Sequence, residues 1–260
     1  MSAASVAWIS IAPVKGLGLV HPAWVALDDG GVASDRRFHV IDERGRLING
    51  KHLGVLVQVR PDYDDDAQTL ALAFPDGGTV AGEVALGEPV TTVFYGRPVR
   101  GRAVVGPWND ALSAFAGRAL KLIRSDRPGA SNDRGRSGSA SLLSRAALEA
   151  FAPAVGATSP LDARRFRMLF GIDGIAAYEE DGWIGRDVRV GEAVVRPRGH
   201  CGRCLITGQD PDTGVPDLPT LDALREVRGD VESTEPLPFG VIAEVVAPGR
   251  VALGDPVEVS

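Results

Sequence analysis

Short apolar runs with polar residues at alternate positions recur along the chain, and turn residues separate them. Apolar residues at every second position line one face of a sheet, so these runs predict strands. In the first hundred residues the predicted strands are 4–12, 25–27, 37–41, 55–60, 70–74, 80–86 and 90–94. Glycine-rich turns such as Asp76-Gly77-Gly78 separate them, which is typical of antiparallel hairpins. This part of the chain is therefore predicted to form a small barrel or sandwich.

The second part of the chain is again rich in strand patterns but adds a few helices. Asn109 is predicted to cap a helix that ends at Gly117, and Ser144 to cap a helix over 144–152. The remaining predicted elements are a helix over 221–227 and strands over 120–124, 166–172, 188–190, 194–198, 240–246 and 251–253. Residues 125–140 lack apolar periodicity and are predicted to form a long loop, which in compact domains is usually functional or disordered. We predict a mainly β protein with peripheral helices (α+β) and two lobes, residues 1–103 and 104–260.

Composition narrows the class of protein. The chain has 260 residues, of which 44% are hydrophobic and 24% charged, a balance that excludes global disorder. No apolar run approaches 18 residues and the N-terminus lacks a basic leader, so we expect a cytoplasmic protein without a membrane span. The net charge of −6 argues against a general affinity for nucleic acid. Residues 100–150 nevertheless carry nine basic and four acidic side chains, which suits a small anionic ligand or an exposed loop.

The two cysteines, Cys201 and Cys204, are three positions apart. Such a pair is compatible with structural zinc, with a thioredoxin-like couple, with one thiolate bound to a soft metal, or with two buried structural cysteines. No other histidine pair lies at ligand spacing, and the context is not a βαβ unit. Arg196, Arg198 and Arg203 lie nearby in sequence and would favour the thiolate form of a cysteine.

Seven motifs follow one another along the whole chain: IAPVKG at 11–16, SDRRF at 34–38, SLLSRAAL at 141–148, RFR at 165–167, YEEDGW at 178–183, RCLITGQDPDTG at 203–214 and LGDPV at 253–257. In this order they resemble the MOSC superfamily (molybdenum cofactor sulfurase C-terminal domain). The first hundred residues resemble the β-barrel domain that precedes it in the mitochondrial amidoxime-reducing component and its bacterial relatives. The resemblance implies an N-terminal barrel lobe followed by a MOSC β-barrel lobe.

The same resemblance implies a pterin-based molybdenum cofactor, molybdenum–molybdopterin. The cysteine of the family's Arg-Cys pair ligates the metal, and here that residue is Cys204. By position, Lys15, Arg36, Arg167 and Arg203 would bind the cofactor's phosphate, and the loop around Ser137 would add backbone donors. His200, four positions before Cys204, is a candidate proton shuttle.

Three departures from the family pattern affect this shell. The serine expected after Lys15 is Gly16, the asparagine expected two positions after Arg167 is Leu169, and the serine expected before the Arg-Cys pair is Gly202. Each removes a polar side chain. The first hypothesis is an oxidoreductase that reduces N-hydroxylated or N-/S-oxide substrates at molybdenum bound by Cys204. The alternative is a sulfur carrier or transferase, or non-redox carbon–sulfur or carbon–nitrogen chemistry at Cys204 without molybdenum.

The expected partners are a small-molecule substrate and a separate electron-donor protein, such as a ferredoxin or a flavin reductase, because only three residues follow LGDPV. Other polar and aromatic residues receive structural interpretations. His39 is predicted to be a core histidine with satisfied hydrogen bonds. The acidic triplet 179–181 is predicted to be a solvated turn that holds Trp183 against the barrel. Trp8, Trp24 and Trp108 are predicted to anchor the core or an interface.

Overall fold

In the computed structural model the described residues are 3–130 and 135–260. They form a mostly β protein, which confirms the predicted fold class. The strands that precede residue 106 are β1 Ser5–Ile9, β2 Val14–Lys15, β3 Trp24–Leu27, β4 Phe38–Asp42, β5 Leu47–Ile48, β6 Arg60–Asp64, β7 Thr69–Ala73, β8 Thr79–Glu83, β9 Ala85–Phe94 and β10 Arg97–Val105. The later strands are β11 Leu120–Ser125, β12 Ala140–Ser144, β13 Phe170–Asp173, β14 Val188–Val190, β15 Ala193–Gly202, β16 Pro238–Ala247, β17 Gly249–Ala252 and β18 Val257–Val259.

The largest sheet is a nearly closed barrel. Its strand order is β1-β13-β12-β16-β15-β14-β18. The two outer strands, β1 and β18, lie close together at the seam of the barrel. Two hydrogen bonds join them there: the Val6 amide donates to the Asp255 carbonyl and the Val257 amide to the Ala4 carbonyl, both at 2.9 Å. The inward side chains of these strands, including Ile172, form one buried apolar cluster. This cluster is the core of the second lobe.

A second sheet, ordered β2-β4-β11-β10-β9 with β5 beside β4, forms the first lobe together with the hairpin strands β6-β7-β8. The two lobes exchange segments of the chain. Strands β1 and β3 come early in the sequence but pair with β13 and β17, whereas β11 comes after residue 103 and pairs with β4 and β10. The division into domains at residue 103 stays a prediction, and the sheets cross it in both directions.

Three α-helices pack on these sheets in the described residues: α1 Trp108–Ala116, α2 Arg145–Phe151 and α3 Thr220–Arg228. The Ser144 hydroxyl accepts a hydrogen bond from the Ala147 amide at 3.1 Å, and Gly117 ends α1 in the left-handed conformation, so both predicted helix signals are confirmed. Asn109 was the wrong cap. Its side chain instead accepts from the Leu122 amide at 2.8 Å and donates to the Val104 carbonyl at 2.9 Å, which ties α1 to the sheet.

Two other predictions about elements were wrong. The apolar run 55–60 lies largely in a 3₁₀ turn, Gly54–Gln58, and the first residue of this turn is in close contact with Gly214 of the second lobe. The predicted strand 166–172 begins only at Phe170, since the preceding residues make a 3₁₀ turn, Ala163–Phe166. The predicted loop 125–140 contains a 3₁₀ turn at Arg136–Gly138, and its residues 131–134 lie outside the described part.

The aromatic and acidic predictions had mixed outcomes. Trp108 is buried and its indole donates to the Leu70 carbonyl at 3.2 Å, as expected of a core anchor. Trp24 is exposed with the Arg250 guanidinium above its ring, so it is not a core residue, and a role in an interface stays a prediction. In the acidic triplet, Trp183 packs in the core as predicted, but Glu180 is fully buried and accepts from the Ser144 amide at 3.1 Å, so the solvated turn was wrong for that residue.

Candidate functional site

The largest cavity lies where the two lobes meet, and it has a volume of about 670 Å³. Both lobes contribute its walls. Among the described residues that line it, seven are basic and one, Glu235, is acidic; the basic ones are Lys15, Arg36, Lys51, Arg97, Arg165, Arg167 and Arg203. Cys204 and Ser137 also reach this lining. Such a concentration of one sign of charge in a concave site attracts anions.

Lys15 is held on the first-lobe side of the cavity by its strand. Strand β2 pairs in parallel with β4, so that Lys15 lies opposite His39. The buried Lys15 ammonium lies 5.6 Å from the centroid of the Phe94 ring and 5.5 Å from that of Tyr95. Ring faces stabilise a desolvated cation at such distances. The aromatic pair therefore keeps a charged group at the cavity wall.

Arg36 and Arg167 face each other across the lobe junction. The Arg36 guanidinium donates to the buried Asp35 carboxylate and, at 3.4 Å, to the Arg167 carbonyl. Asp35 is itself fixed, because it accepts from the Ala12 amide at 2.7 Å. The Arg167 guanidinium in turn donates a hydrogen bond to the Leu17 carbonyl at 2.8 Å.

Both arginines have unusual backbone conformations. The φ angle of Arg36 is 54° and that of Arg167 is 52°, in the left-handed region that residues with a side chain rarely adopt. Such conformations cost about 1–3 kcal/mol each and persist only when the surroundings impose them. Here they direct two guanidinium groups from different lobes into one cavity.

Arg203 has a different environment, although its side chain also reaches the lining. Its guanidinium donates to the Phe166 carbonyl at 2.9 Å and, through Nε, to the Phe239 carbonyl at 2.9 Å. It also lies over the Phe166 ring and contacts the Met168 sulfur at 3.0 Å. These contacts lock the turn before β13 against β16, so Arg203 holds the local framework of the site.

Cys204 lies two residues after the end of β15, immediately before a 3₁₀ turn. Its side chain is half-buried, and its carbonyl accepts from the Thr207 amide and hydroxyl, both at 3.0 Å, which fixes the 3₁₀ turn Leu205–Gly208 that follows it. Cys201, by contrast, is buried in an apolar cluster. Both thiols are free, so the pair does not form a disulfide. Within residues 3–130 and 135–260, no group of three or more histidine, cysteine, aspartate and glutamate side chains could hold a metal ion.

Two family models match the chain. The model described as MOSC N-terminal beta barrel domain matches residues 3–103, and the model described as MOSC domain matches residues 132–258. The chain belongs to the MOSC family.

Curated relatives match most of this MOSC protein. It is 27% identical to mitochondrial amidoxime-reducing component 1 of Mus musculus, with 96% of this chain and 80% of the relative covered. It is 26% identical to mitochondrial amidoxime reducing component 2 of Bos taurus, with 87% and 73% covered. A 77-residue segment, 28% of this chain, is 35% identical to 9% of the molybdenum cofactor sulfurase of Oryza sativa. The crystal structure of the YUAD protein from Bacillus subtilis shares the fold, with a TM-score of 0.50, 15% identity and coverage of 99% and 96%.

The three departures from the MOSC pattern have structural counterparts. Gly16 has a φ of 94°, and a Cβ added there would lie 2.9 Å from the Asn49 Cα, so this position admits only glycine. Leu169 is buried in the core of the barrel, and its amide donates to the Ser141 hydroxyl at 2.9 Å. A Cβ added to Gly202 would lie 2.8 Å from an Oε atom of Glu235. The space of the expected serine is thus taken by a carboxylate.

His200 is not among the residues that line the large cavity. Its Nε2 lies 3.5 Å from the Asp181 carboxylate, which also accepts from the buried Arg228 guanidinium. Burial raises the pKa of the neighbouring Glu180 carboxyl. The structure therefore places the predicted proton shuttle in a polar cluster outside the cavity lining, whereas Lys15, Arg36, Ser137, Arg167, Arg203 and Cys204 share that lining.

His39 lies behind the basic wall and is a core histidine, as predicted. It is 1% exposed, and its ring nitrogens lie 2.9 Å from the Thr92 hydroxyl and 3.3 Å from the Ser125 hydroxyl. Burial, and secondarily the charge of Lys15, lower the pKa of His39 to about 3. The imidazole is therefore neutral at physiological pH.

Five lining residues lie outside the motifs and were not predicted from the sequence: Asn49, Lys51, Tyr95, Arg97 and Glu235. Arg165 begins the motif at 165–167 but was not predicted to be a site residue. Tyr95 is exposed at the β9–β10 hairpin tip with a φ of 47°, and both Lys15 and Lys51 lie near its ring. An aromatic residue in a tight Tyr-Gly hairpin turn was the available signal for this tip. Arg165 is buried and paired with Asp217 at 2.6 Å, so it also braces the second lobe.

A smaller cavity of about 520 Å³ adjoins the first one, and Gly16, Arg165, Arg167 and Ile206 line both. Arg164, one of the arginines that line it, forms ion pairs with carboxylates of the protein itself. Arg164 binds Asp162 at 2.6 Å and Asp212 at 2.7 Å. Because these charges are matched locally, the excess of basic over acidic side chains is smaller here than in the larger cavity.

Proposed function

We propose that this MOSC protein is a molybdenum-cofactor-dependent oxidoreductase that reduces N-hydroxylated compounds or N- and S-oxides. The observation that carries the proposal is the half-buried Cys204 thiol in a cavity whose described lining includes seven cationic side chains and one carboxylate. The likeness to two amidoxime-reducing components over most of the chain supports the reductive direction.

The residues present fit a phosphorylated pterin. A phosphate monoester needs charged donors from several directions, and Lys15, Arg36 and Arg167 supply them from both lobes. The Asp35 carboxylate and the Leu17 carbonyl restrain two of these side chains before a ligand arrives. Preorganised cations lose little conformational entropy on binding.

Under this proposal Cys204 supplies a thiolate, a soft ligand suited to molybdenum. When bound, the cofactor supplies a metal centre that accepts an oxygen atom from the substrate. The chain's own contribution is to orient the thiolate two residues after the end of β15, to bind the phosphate, and to exclude water from the lobe junction. Electrons would come from a separate protein, such as a ferredoxin or a flavin reductase.

Elemental analysis of protein from a host that makes the cofactor tests the proposal. We expect near-stoichiometric molybdenum in the wild type and in Cys201→Ala, because Cys201 also borders the cavity but is buried in the apolar cluster, whereas Cys204 is half-buried. Cys204→Ser should lose most of the metal, and with it the reduction of N-hydroxylated substrates by a reduced dye. A Cys204→Ala protein with full molybdenum content and full activity would refute the proposal.

A second candidate is sulfur transfer through a persulfide on Cys204, without molybdenum. The observation that favours it is an accessible thiol in a chain with a segment like a molybdenum cofactor sulfurase. Intact-protein mass spectrometry after incubation with a sulfur donor distinguishes the two. A stable addition of one sulfur atom at Cys204, in protein that never contains molybdenum, would support the second candidate and contradict the first.

A further inference from the structure

Two short strands meet end to end along one edge of β4, and their junction borders the large cavity. Strand β11 pairs with β4 from Phe38 to Asp42 and so occupies the whole of one edge. On the other edge, β2 pairs with the first two residues of β4 and β5 pairs with the next two. The residues that directly follow β2 and β5 are Gly16 and Asn49. They are therefore neighbours, and both line the cavity.

The contact between Gly16 and Asn49 is tight. A Cβ at Gly16 would lie 2.9 Å from the Asn49 Cα and 3.1 Å from the Asn49 Cβ. The serine that the MOSC pattern leads us to expect at position 16 therefore has no room beside this asparagine. The turn that begins at Asn49 occupies the space next to Lys15 that a serine side chain would need.

Asn49 is a buried residue whose side-chain nitrogen is not used by the fold. The residue is 3% exposed. Its Oδ1 atom accepts from the Lys51 amide at 3.0 Å, and its carbonyl accepts from the His52 amide at 2.9 Å. The first of these bonds assigns the oxygen of the side-chain amide, so Nδ2 points away from the turn. Within residues 3–130 and 135–260, Nδ2 donates to no acceptor of the protein.

A buried donor without an acceptor is rare, because the group has lost its hydrogen bonds to water. Asn49 belongs to the lining of the large cavity, so its two N–H groups have the cavity as the place to find an acceptor. The hydrogen bond from Lys51 already fixes the side chain. A ligand therefore meets a donor that is oriented before it arrives, which lowers the entropic cost of binding.

The neighbouring side chains indicate which kind of acceptor this is. Lys15 precedes Gly16, and its buried ammonium lies at the same wall as Arg36. A neutral N–H donor beside cations suits an oxyanion, whose oxygens accept charge-assisted hydrogen bonds. A phosphate monoester carries about 1.5–2 negative charges at neutral pH, so its terminal oxygens act almost entirely as acceptors.

We propose that Asn49 is a binding residue of this cavity and donates through Nδ2 to a fully ionised phosphate or sulfate oxygen beside Lys15. The proposal rests on the proposed function only for the identity of the molecule that carries the phosphate. In this chain the 49–50 turn then supplies a donor that Gly16 lacks. An amide admits any oxyanion whose oxygens only accept, whereas a carboxylate at the same place would need a ligand that brings a hydrogen.

Calorimetric titration of sulfate and of inorganic phosphate into the full chain, purified from a host that does not make the cofactor, tests the proposal. Wild type should bind both anions. Asn49→Asp keeps the oxygen that accepts from the Lys51 amide but replaces the donor by a carboxylate. Sulfate affinity should fall about a hundredfold, because one charge-assisted contact is lost and a like charge is added. Phosphate affinity should fall only about tenfold, because hydrogen phosphate can donate its hydrogen to the carboxylate.

Two further variants separate the donor from charge and from folding. Gln68→Glu makes the same change from amide to carboxylate in the first lobe, outside the cavity lining, and should leave both affinities unchanged. Asn49→Ser keeps an oxygen for the Lys51 amide and adds no charge, so it should weaken both anions equally, by about tenfold. Thermal unfolding without added anion shows that each variant is folded.

Equal losses of sulfate and phosphate in Asn49→Asp would overturn the inference, and so would wild-type affinities in Asn49→Ser. The titrations do not involve the redox reaction. If the anions behave as expected but protein from a host that makes the cofactor contains no molybdenum, the proposed function fails and the role of Asn49 stands. If molybdenum and reductase activity are present but the Asn49 variants bind both anions like the wild type, the reverse holds.

Discussion

Two buried polar regions, one in each lobe, each place a histidine near a cation, but they balance charge differently. In the first lobe His39 lies behind Lys15, and its hydrogen-bond partners, the Thr92 and Ser125 hydroxyls, are neutral. In the second lobe His200 faces Asp181, and the same carboxylate binds the buried Arg228. The second region therefore matches its cation with an anion from the protein.

The difference separates structure from function. The Asp181–Arg228 pair is structural, because removing one partner of a buried ion pair leaves an uncompensated charge in the fold. The basic cavity wall around Lys15, Arg36 and Arg167 has more cationic than anionic side chains, and a bound anion is the natural complement. The charge balance of each region, more than the kind of residue, indicates where a ligand binds.

Removal of the Asp181 carboxylate beside Arg228 should decrease the free energy of unfolding more than any other change considered below. Asp181→Ala leaves the Arg228 guanidinium, 7% exposed, without its carboxylate. Loss of one partner of a buried ion pair costs about 3 kcal/mol, so urea denaturation should show a comparable decrease in the free energy of unfolding. Asp222→Ala breaks an exposed pair with Arg225 on α3 and should cost about 0.5 kcal/mol or less. Equal losses in the two variants would contradict the assignment of Arg228 as a buried structural cation.

The neutral histidine of the other region should make stability depend on pH. The pKa of His39 is about 3 in the folded protein and 6.5 in the unfolded chain, so its contribution is complete above pH 6.5 and is lost as the pH falls. Between pH 7 and pH 5 this loss amounts to about 2 kcal/mol. His39→Gln keeps the hydrogen-bonding capacity but does not titrate, so its free energy of unfolding should fall less over this range.

The control for the histidine is His52→Gln, which changes an exposed turn residue. Its pH dependence should follow the wild type. If the difference between wild type and His39→Gln stays constant from pH 7 to pH 5, then His39 is not held neutral by its surroundings.

The motif order predicted much of the site from the sequence. Lys15, Arg36, Arg167 and Cys204 were named because each lies in a short motif, and one cavity does bring them together. Glu235 and Tyr95 could not be found in this way. They reach the cavity through a register shift before β16 and a hairpin tip, and both depend on long-range pairing that no local pattern encodes. The direction of the His200 side chain could not be predicted for the same reason. Beside an irregular register, the pairing with the neighbouring strand decides which face of the sheet a side chain lies on.

The pairing of β1 and β3 with the second lobe was also beyond local patterns. Both segments were predicted as strands, but their partners β13 and β17 lie more than 150 residues away. The run 55–60 was predicted as a strand but forms most of a 3₁₀ turn, whose first residue, Gly54, lies in close contact with Gly214 more than 150 residues away. Periodicity predicts which residues are buried better than it predicts which strands pair.

The smallest of these effects concerns the basic cavity wall around Lys15, Arg36 and Arg167. Lys15→Met preserves the length and apolar stem of the side chain but removes its charge. Without that ammonium, the affinity of cofactor-free protein for inorganic phosphate should fall about tenfold, as expected for one charge-assisted contact in a partly desolvated site. Calorimetry measures this change, and Lys121→Met, which alters an exposed lysine on β11, is the matched control.

The same Lys15→Met change should raise the pKa of His39 towards its ordinary value, because the Lys15 charge is the second cause of its depression. If phosphate affinity is unchanged while the pKa of His39 rises, Lys15 acts on the fold's interior and the anion binds elsewhere on the wall.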